Sequence, residues 1–210
     1  MATALVLTAY IPVFPEAYIN SISYDTVICA DGGYRIALEN NIKADYLIGD
    51  YDSMNMPEID GIIKLPMEKD MTDTEAAINL AVKTGINNIH IIGGLGGRFD
   101  HTMGNLGVLS KYSSAGINID LADHQNIVRI LTPGQYKISA PAYKYLGIIS
   151  YSDTVSGLTL KGVKYPLTDF YLNNSTSLGV SNEITGEQAE ISFTEGRLLV
   201  ISSNDSGDLK

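Results

Sequence analysis

Aspartate and glycine residues follow several of the short apolar runs in this sequence. Three such turns are Asp31-Gly32-Gly33, Gly49-Asp50-Tyr51-Asp52-Ser53 and the glycine-rich stretch over residues 93–101. A fourth segment, Lys69-Asp70-Met71-Thr72-Asp73, leads into a helical pattern. Carboxylate oxygens are ligands that Mg²⁺ prefers, and glycine-rich backbone can direct successive amides at an anion. These residue types therefore indicate chemistry on a polyphosphate that is bound through a metal ion.

Asp50 and Asp52 are the first candidates for metal ligands. They lie two positions apart, so both side chains would point to one face of an extended segment. Asp73, at the start of the helical pattern, is predicted to join them. Acidic residues beside a strand also form simple turns, and the helix dipole favours an acid in the first turn whatever its function. The repetition of acidic turns favours the metal site over these local explanations.

Arg98 supplies the glycine-rich stretch with a planar, permanently charged group that suits phosphate oxygens. The alternative is a flexible loop that carries a solvated arginine. Asp100 is a candidate for the reaction centre, but it could instead be only the N-cap of the helix that follows. For His101, a functional role and a simple position at the start of a helix are equally well supported.

The elements that must position these residues alternate along the first part of the chain. Up to about residue 130, short β-type runs alternate with helical patterns, which predicts βαβ units and a mostly parallel sheet. The clearest helix begins at Thr72, where Thr72 and Glu75 have the spacing of a capping box, and ends before Gly85. A second helix is expected over residues 101–115. The expected strands are residues 4–9, 26–30, 46–49, 62–65 and 89–93.

The site should lie at one edge of that sheet. In an open α/β sheet, ligands bind beyond the carboxyl ends of the strands, so the acidic and glycine-rich turns should face one crevice. After Thr132-Pro133-Gly134, short β-type runs are separated by turn residues roughly every ten positions, which is typical of an all-β sandwich. We therefore expect an α/β nucleotide-binding catalytic domain over residues 1–132 and a β-sandwich domain over residues 133–210.

The composition limits the partners and the compartment. The 210 residues include 24 Asp and Glu against 14 Lys and Arg, so the net charge is −10. A chain this acidic does not attract a nucleic-acid backbone without a local basic patch, and the sequence has none. It has no apolar run near the ~20 residues that span a bilayer, and its first residues do not have the pattern of a signal peptide. The single cysteine, Cys29, lies in an apolar run and is expected to be a core residue, which fits a reducing cytoplasm.

Taken in order, the four motifs resemble those of thiamine pyrophosphokinases. The similarity continues through Gly162-Val163-Lys164-Tyr165-Pro166-Leu167, Gly179-Val180-Ser181-Asn182-Glu183 and Gly196-Arg197-Leu198-Leu199-Val200, and so covers nearly the whole chain. The resemblance implies a nucleotide-binding α/β domain, a thiamine-binding β-sandwich and a homodimer whose active sites lie between subunits. It also implies the reaction, in which thiamine attacks ATP to give thiamine diphosphate and AMP.

The resemblance also assigns roles by position. It implies that Mg²⁺ and the polyphosphate are held by Asp50, Asp52 and Asp73, with Asp31 and Asp100 beside them. It implies that nucleotide and phosphate contacts come from Asp31, Gly32, Gly33, Lys69, Asp70, Thr72 and Arg98. Thiamine contacts are implied for Ser181 and Asn182. Animal members stack a tryptophan on thiamine, whereas this chain has no Trp and Val200 aligns there, so Tyr165 is the candidate substitute.

Two other functions compete with this one. The first is a Mg²⁺-dependent nucleotide hydrolase or nucleotidyltransferase that uses the same aspartates with water or another acceptor. The second is a binding module in which a nucleotide-responsive domain regulates a ligand-binding domain, and the retained aspartates with Arg98 argue against it. The sequence leaves open whether Asp31 or Asp100 accepts the hydroxyl proton.

Overall fold

The computed structural model of the protein describes residues 2–49, 62–64, 70–139 and 142–205. The predicted site residues Asp50, Asp52 and Lys69 lie outside these ranges. The chain folds as two compact units, Met1–His124 and Gln125–Lys210. The second unit thus begins a few residues before the domain boundary that the sequence predicted between residues 132 and 133. That boundary stays a prediction about where the two functional domains divide.

The first unit is an α/β fold. Its elements are β1 (Thr3–Leu7), α1 (Glu16–Ser21), β2 (Thr26–Ala30), α2 (Gly33–Glu39), β3 (Tyr46–Gly49), β4 (Ile62–Lys64), α3 (Asp73–Lys83), β5 (Asn88–Ile92), α4 (Phe99–Ser114) and β6 (Asn118–Ala122). The strands lie in the order β4-β3-β2-β1-β5-β6, and each neighbouring pair in this series runs parallel. The prediction of an α/β domain with a mostly parallel sheet is confirmed.

Burial explains why these segments form strands. All five residues of β1 are buried, and β2 and β6 are each buried at four consecutive positions. Consecutive burial is expected when helices cover both faces of a parallel sheet. Cys29 is fully buried in β2, and this burial, with the nearby charge of Asp45, raises the pKa of its thiol to about 12. The thiol therefore stays neutral and belongs to the core, as predicted.

Helix α3 begins at the predicted cap. The Thr72 side chain accepts a hydrogen bond from the Glu75 amide over 3.2 Å, which satisfies one of the amides that the first turn leaves free. The Glu75 carboxylate accepts a bond of 2.7 Å from Lys111 Nζ of α4. The helix buries its apolar face through Ala76, Ala77, Ile78 and Ala81. The N-terminus of α3 is thereby fixed at the carboxyl end of the sheet.

The second unit is a β-sandwich, as predicted. Its strands are β7 (Asn126–Leu131), β8 (Gly134–Ile138), β9 (Tyr145–Ser150), β10 (Thr154–Lys161), β11 (Leu167–Asn173), β12 (Ala189–Phe193) and β13 (Leu198–Ser203). Strand β13 lies between β7 and β9 and runs antiparallel to both. The other sheet has the order β11-β10-β12-β8, again antiparallel. Buried residues of both sheets, among them Ile148, Leu158, Ile191 and Val200, form one core cluster.

No helix in the described part of the chain combines the length and the apolar character that a membrane crossing requires.

Gly33 marks a close approach between α2 and β1. A Cβ atom at this position would lie 2.1 Å from the backbone oxygen of Leu7, so any side chain must displace the backbone. We expect Gly33→Ala to lower the free energy of unfolding by about 1–3 kcal/mol, the range for overpacked interiors. Thermal unfolding should show a midpoint lower by roughly 2–4 °C for each kcal/mol.

The matched control for this substitution is Gly104→Ala in α4, where an added Cβ has no atom within 4 Å. Alanine is a better helix former than glycine by roughly 1 kcal/mol, so this control should stabilise the protein. A midpoint for Gly33→Ala equal to that of the wild type would contradict the close packing of α2 on β1.

Candidate active site

A cavity of about 540 Å³ lies in the first unit at the carboxyl end of the sheet. The strand order reverses direction between β1 and β5, and ligands of open α/β sheets bind where such a reversal separates neighbouring loops. The loops after β1 and β5 both line the cavity. The structure brings the following predicted site residues together in its wall: Asp31, Asp70, Thr72, Asp73, Arg98 and Asp100.

The glycine-rich loop forms one wall of this cavity. Gly93 has a φ of 88°, and a Cβ there would lie 2.4 Å from the backbone oxygen of Tyr10. Only glycine accommodates both the left-handed backbone and this approach. Asn105 of α4 donates a bond of 2.8 Å to the oxygen of Gly94, and the amide of Gly94 donates one of 3.1 Å to the oxygen of Tyr10. These bonds hold the loop in one shape before any ligand binds.

Tyr10 is a cavity residue that the sequence did not identify. Its ring packs on the glycine-rich loop, because a Cβ on Gly97 would lie 3.2 Å from it. The side chain is 47% exposed and lines the cavity. An aromatic ring in such a place can stack on a planar heterocycle. The only feature of the sequence that could have indicated Tyr10 is its position just after β1. An uncharged residue at such a position is equally compatible with a binding site and with an ordinary loop.

The first turns of α3 and α4 also meet the cavity. Thr72 caps α3, Arg98 stands at the N-cap position of α4, and both residues line the wall. The first amides of a helix lack intrahelical partners and carry partial positive charge, which suits a phosphate. The predicted helix start near His101 is confirmed within two residues, because α4 begins at Phe99.

Arg98 and Asp100 form a two-point ion pair at the mouth of the cavity. Arg98 Nε lies 3.2 Å from Asp100 Oδ1, and its Nη2 lies 2.6 Å from Oδ2. The hydrogen bond from Arg98 lowers the pKa of the Asp100 carboxyl, and the His101 amide lowers it further, while the same bond raises the pKa of Arg98. The pair is well exposed, so an incoming phosphate can compete with the carboxylate for the guanidinium. Asp100 is an ionised, weakly basic group in this arrangement.

Asp31 occupies the turn between β2 and α2 in a left-handed conformation, with a φ of 49°. A non-glycine residue in this region is uncommon, and such residues cluster at functional sites. Its amide donates a bond of 2.7 Å to the oxygen of Ile48, and its exposed side chain lines the cavity. Gly32 and Gly33 instead pack against the end of β1, so their nucleotide contacts stay a prediction.

The predicted metal ligands are only partly within the described structure. Among the described residues, no group of three or more His, Cys, Asp or Glu side chains is placed to hold a metal ion. Asp50 and Asp52 lie outside those residues, so the set of Asp50, Asp52 and Asp73 stays a prediction. The acidic side chains of the cavity wall, which include Asp31 and Asp70, offer hard oxygen ligands, and these suit Mg²⁺.

The predicted thiamine contacts lie together in the second unit. Ser181 is exposed and has a φ of 59°, whereas Asn182 is only 4% exposed. The Asn182 side chain contacts the backbone of Tyr165, whose own side chain is 59% exposed. Val200, which the family resemblance places at the position of the tryptophan of animal members, is buried in the sandwich core. Tyr165 therefore presents an aromatic surface, whereas Val200 is enclosed by its own unit.

Comparisons with known proteins agree across both units. Residues 19–121 match the family model "Thiamin pyrophosphokinase, catalytic domain", and residues 135–198 match "Thiamin pyrophosphokinase, vitamin B1 binding domain". The chain is 34% identical over 186 residues to a thiamine pyrophosphokinase of Bacillus subtilis, covering 85% of this chain and 87% of that protein. A relative from Caenorhabditis elegans, thiamin pyrophosphokinase 1, is 30% identical over 77% of this chain and 72% of its own length. The crystal structure of a thiamin pyrophosphokinase from Geobacillus thermodenitrificans superposes with a TM-score of 0.86 at 33% identity, covering 100% of both chains.

Proposed function

This chain belongs to the thiamine pyrophosphokinase family, and we propose that it transfers the pyrophosphoryl group of ATP to the hydroxyl of thiamine, giving thiamine diphosphate and AMP. The observation that carries the proposal is the cavity at the strand-order reversal. Carboxylates, an arginine and two helix N-termini converge there, as transfer of a polyphosphate group requires. The alternative of a nucleotide hydrolase or nucleotidyltransferase is not favoured, because relatives and family models of both units carry the kinase name.

The residues of the cavity act by alignment and charge. Transfer of a phosphoryl-type group depends more on holding the reactants in line than on a strong base. The free amides of α3 and α4 bind polyphosphate oxygens, and Arg98 exchanges its partner Asp100 for phosphate. The hydroxyl proton passes to Asp31 or to Asp100, because both carboxylates line the cavity.

The metal in this proposal is Mg²⁺, held by Asp50, Asp52 and Asp73. When bound, it neutralises charge on the polyphosphate and orients its oxygens. Asp73 lines the cavity in the first turn of α3, and the acidic side chains around it offer the oxygen ligands that the ion needs. Lys69, Asp70 and Thr72 are proposed to contact the nucleotide phosphates.

We propose that thiamine binds to the part of the second unit that carries Ser181, Asn182 and Tyr165. We propose a homodimer in which each active site lies between subunits, on the strength of the family resemblance. Sedimentation equilibrium checks this with an expected mass of twice the 22.7 kDa chain. The lone, buried Cys29 supports a cytoplasmic location.

Phosphorus NMR of the product from ATP, Mg²⁺ and thiamine tests the reaction. We expect thiamine diphosphate and AMP in equal amounts, and no AMP beyond background when thiamine is omitted. AMP released at the same rate with and without thiamine would contradict transfer and would indicate hydrolysis.

A further inference from the structure

Tyr165 lies in a turn of the second unit, and other residues form hydrogen bonds with its backbone atoms. The Asn182 side-chain oxygen accepts the amide of Tyr165 at 3.0 Å, and the Asn182 side-chain nitrogen donates to the Tyr165 oxygen at 2.9 Å. The same side-chain oxygen also accepts the Glu183 amide at 2.9 Å. The Asn182 side chain thus forms two hydrogen bonds with the Tyr165 backbone, as the backbone of a neighbouring strand would.

These bonds use both acceptor positions of the Asn182 side-chain oxygen and one of the two N–H groups of its nitrogen. An amide oxygen has two lone pairs, and both are used by backbone amides of this unit. The residue is only 4% exposed. A ligand could reach the side-chain oxygen only by displacing Tyr165 or Glu183, and the displaced amide would be left without its partner, which is costly. The burial and the bonds of Asn182 therefore favour a role in holding the chain over direct contact with thiamine.

Further contacts fix this arrangement to the sandwich. The amide of Leu146 in β9 donates to the backbone oxygen of Asn182 over 2.8 Å. Lys164 donates its amide to the Glu183 oxygen at 2.9 Å, and its ammonium group pairs with the Glu183 carboxylate at 2.7 Å. Pro166 restricts the backbone of the preceding Tyr165. The Tyr165 backbone is held from two sides, whereas the residue as a whole is 59% exposed, and the Lys164 ammonium lies 5.6 Å from the centroid of its ring.

From this geometry we propose that Asn182 is a positioning residue, which presents the exposed ring of Tyr165 as a stacking surface for a ring of thiamine. The inference rests on the proposed function. A rigid aromatic surface loses little conformational entropy when it binds a flat ligand, and so its orientation in the free protein matters to affinity. Tyr165 touches the substrate in this account, and Asn182 acts only through Tyr165.

The test is a double-substitution cycle on kinetic constants. Asn182→Ala and Tyr165→Ala should each raise the KM for thiamine by roughly threefold to tenfold, with the KM for ATP and kcat within twofold of wild type. The double variant should be no worse than the poorer single variant, because Asn182 has nothing to position once the ring is gone. Effects that multiply in the double variant would overturn the proposal.

Two controls separate positioning from general damage. Tyr165→Phe keeps the ring and should keep the wild-type KM for thiamine, so a rise equal to that of Tyr165→Ala would refute stacking. Ile191→Ala, in the sandwich core, should lower the unfolding midpoint without raising the KM for thiamine. If it raises that KM as Asn182→Ala does, the effect is destabilisation and the proposal fails.

Asn182→Ser replaces Asn182→Ala in the cycle if the latter does not fold, because a serine hydroxyl can still accept a backbone amide but is too short to bond both the amide and the oxygen of Tyr165. The wild-type enzyme distinguishes the two levels of inference. If wild type forms no thiamine diphosphate, the proposed function is wrong. If wild type is active and the cycle is multiplicative, only the role of Asn182 is wrong.

Discussion

Replacing Asp73 with Asn is expected to lower kcat by about 10²-fold or more while the protein stays folded. Asp73 lines the cavity in the first turn of α3, where the proposed metal and polyphosphate meet. Asparagine keeps the shape and removes the charge. Folding should lose the interaction of the carboxylate with the helix dipole, about 0.3–1 kcal/mol, and the helix should keep its cap, which is made by Thr72. The measurement is kcat at saturating ATP, thiamine and Mg²⁺, together with a thermal unfolding curve.

Asp169→Asn is the matched control for this substitution. Asp169 is exposed on β11 of the second unit and has a φ of 48°, a conformation that asparagine tolerates well. It changes the net charge by the same amount and should leave kcat unchanged. Asp50→Asn and Asp52→Asn should match the loss seen for Asp73→Asn. Turnover within threefold of wild type for all three variants would remove the metal assignment.

The elements that the sequence predicted are those whose signals are local. Helix α3 has a side-chain cap and eleven residues, and the apolar runs of β1 and β2 are uninterrupted. Helices α1 and α2 were not predicted. They have six and seven residues and no side-chain cap, so neither a hydrophobic period nor a start signal can be read.

Strand β6 was missed for a different reason. Asp120 interrupts its apolar run, and the buried carboxylate is acceptable there because it has polar partners, among them Tyr18, which donates to it at 2.7 Å, and His90, which lies 2.9 Å away. These partners come from α1 and β5, distant in sequence. When the partners of a polar residue are distant in sequence, the sequence alone suggests a turn at that residue rather than a buried strand.

For the candidate site too, the sequence predicted some features and not others. The general rule for ligands in open α/β sheets placed the turns after β2 and β5 at one crevice, and the cavity wall contains residues of both. That rule does not predict which side chains contact each other. Nothing in the sequence indicated that Tyr10 would pack on Gly97, that Arg98 would pair with Asp100, or that the Asn182 side chain would bond to the backbone of Tyr165. Each of these depends on which neighbour the folded backbone brings within hydrogen-bonding or packing distance.

The two-point contact of Arg98 with Asp100 allows a specific prediction for the effect of Arg98→Lys on kcat/KM. The guanidinium contacts the carboxylate through two nitrogens, and it can offer the same two-point contact to phosphate oxygens. A lysine supplies a single point of charge. We expect Arg98→Lys to lower kcat/KM by about 10-fold and Arg98→Ala by about 10²-fold, since interactions with the transferring group strengthen in the transition state.

Initial rates over a range of ATP concentrations measure this loss. Stability should hardly change in either variant, because Arg98 and Asp100 are 73% and 64% exposed and their ion pair is screened by solvent. Arg35→Lys is the matched control: Arg35 is exposed on α2, lies 3.8 Å from Glu39, and is absent from the cavity wall among the described residues. Its kcat/KM should equal that of the wild type. If Arg98→Lys also retains the wild-type kcat/KM, Arg98 is a solvated loop residue, and the anion site must rest on the amides of α3 and α4 alone.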